Sequence, residues 1–127
     1  SAAAFPTLDI ASLTRDQAQA IYRARYWSPI AGDSLPPPVA LVTFDCAVNQ
    51  GVGTAAVLLQ AALGVTQDGA VGPLTIAASV RHANAPTSLV LELCARRALR
   101  YAAGDIVTYG LGWFRRLFAA AAQAVLP

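Results

Sequence analysis

The sequence predicts an all-α fold, and three observations carry that prediction. No stretch alternates apolar and polar residues with the period of two that a half-buried strand requires. Apolar residues recur instead three and four positions apart in several segments. Between those segments stand residues that start and stop helices: Thr14 ahead of Arg15-Asp16-Gln17, prolines at positions 36–38, 73 and 86, and glycines at 51, 64 and 104. A chain of 127 residues, 56% hydrophobic and 13% charged, is long enough to bury one core and too apolar for disorder. A single compact multi-helix domain spanning 1–127 follows, with residues 1–12 as a loosely structured lead-in.

Taken in order, Thr14-Arg15-Asp16-Gln17 has the spacing of a capping box, in which a threonine hydroxyl and a glutamine side chain each accept a free backbone N–H. It opens a helix to about Trp27, with Ile21, Tyr22, Arg25 and Tyr26 on the inward side. Gly32 and Pro36-Pro37-Pro38 end that region, and proline in a first turn suits a second helix over Val39 to Asn49. This helix is apolar on nearly every side except at Thr43, Asp45 and Asn49, the pattern of a central buried helix. Gly51 and Gly53 break the chain, and a third helix, Thr54 to Leu63, stops at Gly64. Asp68-Gly69 makes a tight reversal, and Gly72-Pro73 starts a fourth helix ending at Val80.

Pro86, with Thr87 or Ser88 as cap, opens a fifth helix to about Ala103. After Gly104, Gly110 and Gly112 comes the last helix, from about Trp113 to Leu126. Its stripe of Trp113, Phe114, Leu117, Phe118, Ala121 and Val125 is predicted to face the core.

Composition excludes several function classes. The longest apolar run, Leu117 to Ala122 between Arg116 and Gln123, is far shorter than the roughly 18 residues of a membrane span. No charged n-region followed by an apolar stretch opens the chain, so no signal peptide is read. The net charge of +2 comes with nine arginines that are scattered or helically paired, without the aromatic interleaving of a nucleic-acid surface. Cys46 and Cys94 lack the CxxC spacing of a redox or zinc motif, and His82 is the lone histidine, so no metal site and no cofactor are expected. The cysteines are read as buried free thiols, or as a disulfide in an oxidising compartment.

Carboxylates are scarce. Glu92 is the one glutamate, and Arg96 four residues on is its natural partner, with catalysis as the alternative. Asp45 stands in an otherwise apolar helix, where a carboxylate must be hydrogen-bonded, paired with an arginine or exposed to a cleft. Asn49 extends the same polar strip. Tyr22, Tyr26 and Trp27 are either packing aromatics or platforms for sugar rings.

Residues Leu13 to Leu117 carry motifs that together resemble the N-acetylmuramidases of glycoside hydrolase family 108, known from phage endolysins and secretion-associated lysozymes. These are Ile21-Tyr22 with Tyr26-Trp27, then Gly32-Asp33 with Leu35-Pro36, then Phe44-Asp45-Cys46-Ala47-Val48-Asn49-Gln50-Gly51. They continue as Leu59-Gln60, Leu63-Gly64, Asp68-Gly69, Gly72-Pro73 and Thr75, and close with Gly112-Trp113 and Arg116.

The resemblance implies a lysozyme-like fold, with residues 13–53 the remainder of a muramidase-like region and 54–127 a predicted peptidoglycan-binding region. It implies peptidoglycan as ligand, action at the bacterial cell wall or periplasm, and Asp45, Asn49, Tyr22, Tyr26, Trp27 and Gln60 as candidate substrate-binding residues. The family's catalytic glutamate lies in a Glu-Gly-Gly segment that nothing in Ser1 to Leu13 matches. No catalytic residue is therefore assigned, Asp45 is the fallback candidate, and no lytic activity is expected of the chain alone. A non-catalytic peptidoglycan-binding module is the alternative, as is a structural virion or envelope component that self-associates or accepts a partner helix.

Overall fold

The computed structural model describes residues 13–126; the lead-in at 1–12 lies outside them. The first helix, α1, is Arg15–Tyr22. Its capping box forms as predicted: the Gln17 N–H donates to Thr14 Oγ1 at 3.1 Å, and the Thr14 N–H donates to Gln17 Oε1 at 2.9 Å. The α-helix does not continue to Trp27. Arg23–Trp27 widen into a π turn, with the Ser28 N–H bonded back to the Arg23 carbonyl. Two 3₁₀ turns follow, Ser28–Ile30 and Gly32–Ser34, joined through Ala31 in the left-handed region at φ 53°. What holds this departure is Asp33, which accepts from the Trp27 indole N–H at 3.0 Å and from Arg23 at 2.6 Å. Gly32 lies directly against the Trp27 ring, with no room for a Cβ.

The central helix, α2, is Pro37–Gln50, with prolines in its first turn. It buries Val39, Ala40, Val42, Thr43, Cys46 and Ala47, and packs against all three of the long helices that follow. The Thr43 hydroxyl avoids an orphaned polar atom by donating to the Val39 carbonyl at 2.7 Å. Gly51, at φ 96°, turns the chain into α3, Val52–Leu63, which ends at Gly64 at φ 70°. Next come α4, Pro73–Val80, and α5, Thr87–Ala102. Pro86 is the residue preceding α5, so Thr87 and Ser88 lie within its first turn rather than capping it.

The largest difference from expectation is α6, Ile106–Val125, which starts well before Trp113. Asp105 supplies the start signal, its side chain accepting the Thr108 N–H at 3.1 Å. Gly110 is then an interior helical residue. Glycine costs a helix about 1 kcal/mol relative to alanine, but the Ile106 side chain fills the space where a Cβ would sit. The predicted inward stripe holds for Trp113, Phe114, Leu117 and Ala121, whereas Phe118 is 68% exposed and Val125 also faces outward.

One core joins these elements: Ile30 and Leu35 from the turns, Val39 and Val42 from α2, Leu59 from α3, Leu89, Val90, Leu93 and Tyr101 from α5, and Leu117 from α6. Cys46 and Cys94 are free and buried. The described residues are all-α and compact, and no helix among them is long and apolar enough to cross a membrane.

Candidate functional site

Asp45 is where three helices meet. One carboxylate oxygen accepts from Arg97 Nη2 of α5 at 2.9 Å, and the other faces Arg116 of α6, with Nε at 3.1 Å and Nη2 at 3.0 Å. The Arg97 side chain is fully buried while that of Asp45 is 21% exposed. A buried guanidinium stays charged and must be paired. Arg97 also donates to the Tyr101 hydroxyl at 2.9 Å, and that hydroxyl accepts from Asn49 Nδ2 at 2.7 Å. The polar strip predicted at Asp45 and Asn49 is thus one continuous network reaching into α5. Its partners escaped sequence reasoning because Asp45 and Arg97 lie 52 positions apart, and no local spacing couples them. Arg116 stood in the terminal motif but carried no sign that it would pair with α2.

Beside this network an open cleft of about 510 Å³ runs between α1, the π turn, α2 and α6. Tyr22, Trp27 and Phe44 give it aromatic walls, Gln19, Arg23 and Arg116 give it hydrogen-bond donors, and Val48 completes it. Trp27 meets Phe44 edge-on, with ring centroids 5.5 Å apart. Such a surface suits a saccharide, whose apolar ring faces stack on aromatics while hydroxyls and acidic groups take charged donors. Of the predicted binding residues, Tyr22 and Trp27 line the cleft. Asp45 touches it through Arg116. Asn49 faces Tyr101, and Tyr26 packs on the core with Arg25 over its ring. Phe44 and Val48, four apart on α2, extend the wall that sequence reasoning stopped at Trp27.

Gln60 lies apart from that cleft's lining. It is 1% exposed, and its side chain ties α3 to the turn at 68–70 and to the first turn of α4. Nε2 donates toward Asp68 Oδ1 at 2.8 Å, the Ala70 carbonyl at 3.0 Å and Thr75 Oγ1 at 3.1 Å, while Oε1 accepts the Gly69 N–H at 3.0 Å. The Ala70 N–H and Gln60 together hold the Asp68 carboxyl below its ordinary value. This fixes the Asp68-Gly69 reversal, with Gly69 at φ 78°. On its outer side lies a second groove of about 360 Å³, bordered by Thr66, Asp68, Leu74, Thr75 and Arg81.

The remaining described carboxylates sit at the surface. Glu92 pairs with Arg96 at 3.0 Å, Asp33 with Trp27 and Arg23, and Asp105 caps α6. The Trp27 indole N–H, with the neighbouring Arg23, holds Asp33 below the usual carboxylate range. None of these has the apolar enclosure that raises the pKa of a glycosidic general acid.

Comparison with known proteins adds to this geometry. Residues 1–51 match the family model described as Glycosyl hydrolase 108, and residues 54–118 match that described as Predicted Peptidoglycan domain. Among solved structures, that of Brucella abortus SagA is similar with a TM-score of 0.86 and 34% identity, covering 98% of this chain and 73% of that one. None of the curated proteins matches the chain.

Proposed function

Since the chain belongs to the glycosyl hydrolase 108 family and carries that family's peptidoglycan region, we propose that it binds the glycan strand of peptidoglycan without cutting it alone. Its class is peptidoglycan-directed and muramidase-like. In this reading residues 13–53 supply one wall of the saccharide cleft and 54–127 the peptidoglycan-binding helices, the two sharing the core around α2. Peptidoglycan is the partner, held by Tyr22, Trp27 and Arg116 in the cleft, with Asp45 positioning Arg116.

The observation that carries the non-cutting part is the commitment of Asp45. Glycoside hydrolysis needs a carboxylic acid with a proton aimed at the leaving oxygen. Both Asp45 oxygens are instead engaged by guanidinium donors, and no described carboxylate lines the cleft itself. The test pairs two assays on one preparation: turbidity of purified cell walls, and co-sedimentation with insoluble peptidoglycan. Unchanged turbidity with pelleting, reduced by Trp27→Ala or Arg116→Ala, is the expected result. Clearing of the walls by this chain would overturn the non-cutting assignment, and failure of the folded chain to pellet would overturn binding.

A further inference from the structure

The exposed side of α6 has an order that packing within one chain does not require. Val107, Leu111, Phe114, Phe118, Ala121 and Val125 alternate in steps of four and three. That is the 3.5-residue repeat of a coiled-coil seam. Val107 is 95% exposed, and Leu111 and Phe118 are each 68% exposed. Phe114 and Ala121 are half-buried on the flank turned toward the core. No acidic residue occurs anywhere in α6, and Arg115 is the charge that borders the seam.

We propose that this seam pairs with the same seam of a second copy, the two α6 helices running antiparallel about a two-fold axis near Arg116. The sequence is self-complementary in that register. Val107 falls opposite Val125, Leu111 opposite Ala121 and Phe114 opposite Phe118, so large meets small at the second level and aromatics meet at the centre. A two-fold interface uses one patch on both copies and therefore requires such self-complementarity.

The exposed area indicates the kind of interface. A helix of this length is about 30 Å long, and a seam of that length exposes on the order of 300–600 Å² of apolar surface, the size of a typical monomer's largest patch. That is below the roughly 800 Å² per partner of a standard interface, so the pairing belongs with weak, reversible contacts. Arg115 of each copy comes to the same level of the seam, so pairing strengthens as salt screens the two charges.

Sedimentation velocity across protein concentration and salt tests this. The chain is expected to pass from monomer to dimer as its concentration rises, with tighter association at high salt. Phe118→Glu, at an exposed position that leaves the fold intact by circular dichroism, is expected to weaken it at least about 30-fold, the loss of one interface anchor. For the register, Val107→Cys and Val125→Cys chains are mixed under mild oxidation. The buried native thiols do not compete, and cross-linking between the two different variants supports the antiparallel pairing. A chain that stays monomeric at high concentration, that dimerises equally well with Phe118→Glu, or that floats as a monomer with lipid vesicles would overturn the proposal. Cross-linking of Val107→Cys with itself would do the same for the register.

Discussion

Arg97 on α5 has a fully buried side chain and reaches Asp45 on α2 at 2.9 Å, so the charge in the middle of the fold is balanced from the edge of the cleft. The pair is not a free gain in stability, because both ions give up hydration and Arg97 Nε has no partner at all. Its worth lies in what happens when one member is removed.

Asp45→Ala should therefore cost about 3 kcal/mol, the lower end for stranding a buried charge, since Asp45 itself retains some contact with water. Asp45→Leu combined with Arg97→Met should cost less than Asp45→Ala alone, because the double change leaves no buried charge to compensate. Urea midpoints of the single and double variants check the ordering. A double variant less stable than Asp45→Ala would show that the network around Tyr101 and Asn49 outweighs the charge pair.

Gln60→Leu should lower stability by about 2 kcal/mol, within the range for leaving buried hydrogen-bond groups unpaired. The loss should be local as well as global. The Gly69 amide, which Gln60 Oε1 now accepts, should exchange with deuterium much faster in the variant, while amides in the middle of α5 slow or quicken only with overall stability.

Gly32→Ala tests the ring packing. A Cβ there collides with the Trp27 indole, so the variant should lose about 1–3 kcal/mol as an overpacked site does. The displaced indole should also lose its bond to Asp33. Near-ultraviolet circular dichroism would report the change in Trp27, and weaker pelleting with peptidoglycan should accompany it.

Stability should fall at both pH extremes for different groups. Asp33 and Asp68 titrate below 3.8 in the folded chain, so the unfolded chain binds more protons around and below that pH. Their contribution is present above about pH 4 and is lost as the pH falls further; Asp33→Asn or Asp68→Asn should flatten that acid limb. Cys46 runs the other way. Burial pushes its thiol from 9.0 to about 11, so its contribution is full below pH 9 and is lost as the pH rises toward 11. Cys46→Ala should flatten the alkaline limb of a thermal-melting profile, whatever its offset at neutral pH.

Much of this was legible in the residues themselves. The capping box at Thr14, the αL stop at Gly64 and the Asp68-Gly69 reversal depend on neighbours within a few positions, and such signals survive folding unchanged. The apolar surround of α2 likewise marked it as the helix everything else packs on. What failed were features decided by distant partners. Gly110 and Gly112 looked like breaks because propensity counts them as such, whereas the Asp105 cap and the packing of Ile106 carry α6 through both. Phe118 was assigned inward because the heptad and the core stripe share Phe114 and Ala121, and spacing alone cannot say which side of a shared line is covered. At the site, Tyr22 and Trp27 were identified from their type, but Arg97 and Tyr101 belong to a helix that meets α2 only in three dimensions. Gln60, a candidate ligand contact by its motif, spends its side chain on holding the Asp68-Gly69 reversal against α3, partners that its own sequence neighbourhood does not reveal.

The wide turn at Arg23–Trp27 has a geometric corollary for the cleft. In a regular α-helix, side chains five positions apart diverge, since 3.6 residues complete a turn. A backbone closed by i to i+5 bonds brings such side chains nearly into line, and that is how Tyr22 and Trp27 come to stand on one wall. The aromatic surface is thus set by arithmetic of the main chain as much as by the identity of the rings. Were the segment to close into an ordinary helix at its present length, the five-residue spacing would turn the indole away, with both aromatics still present in the chain.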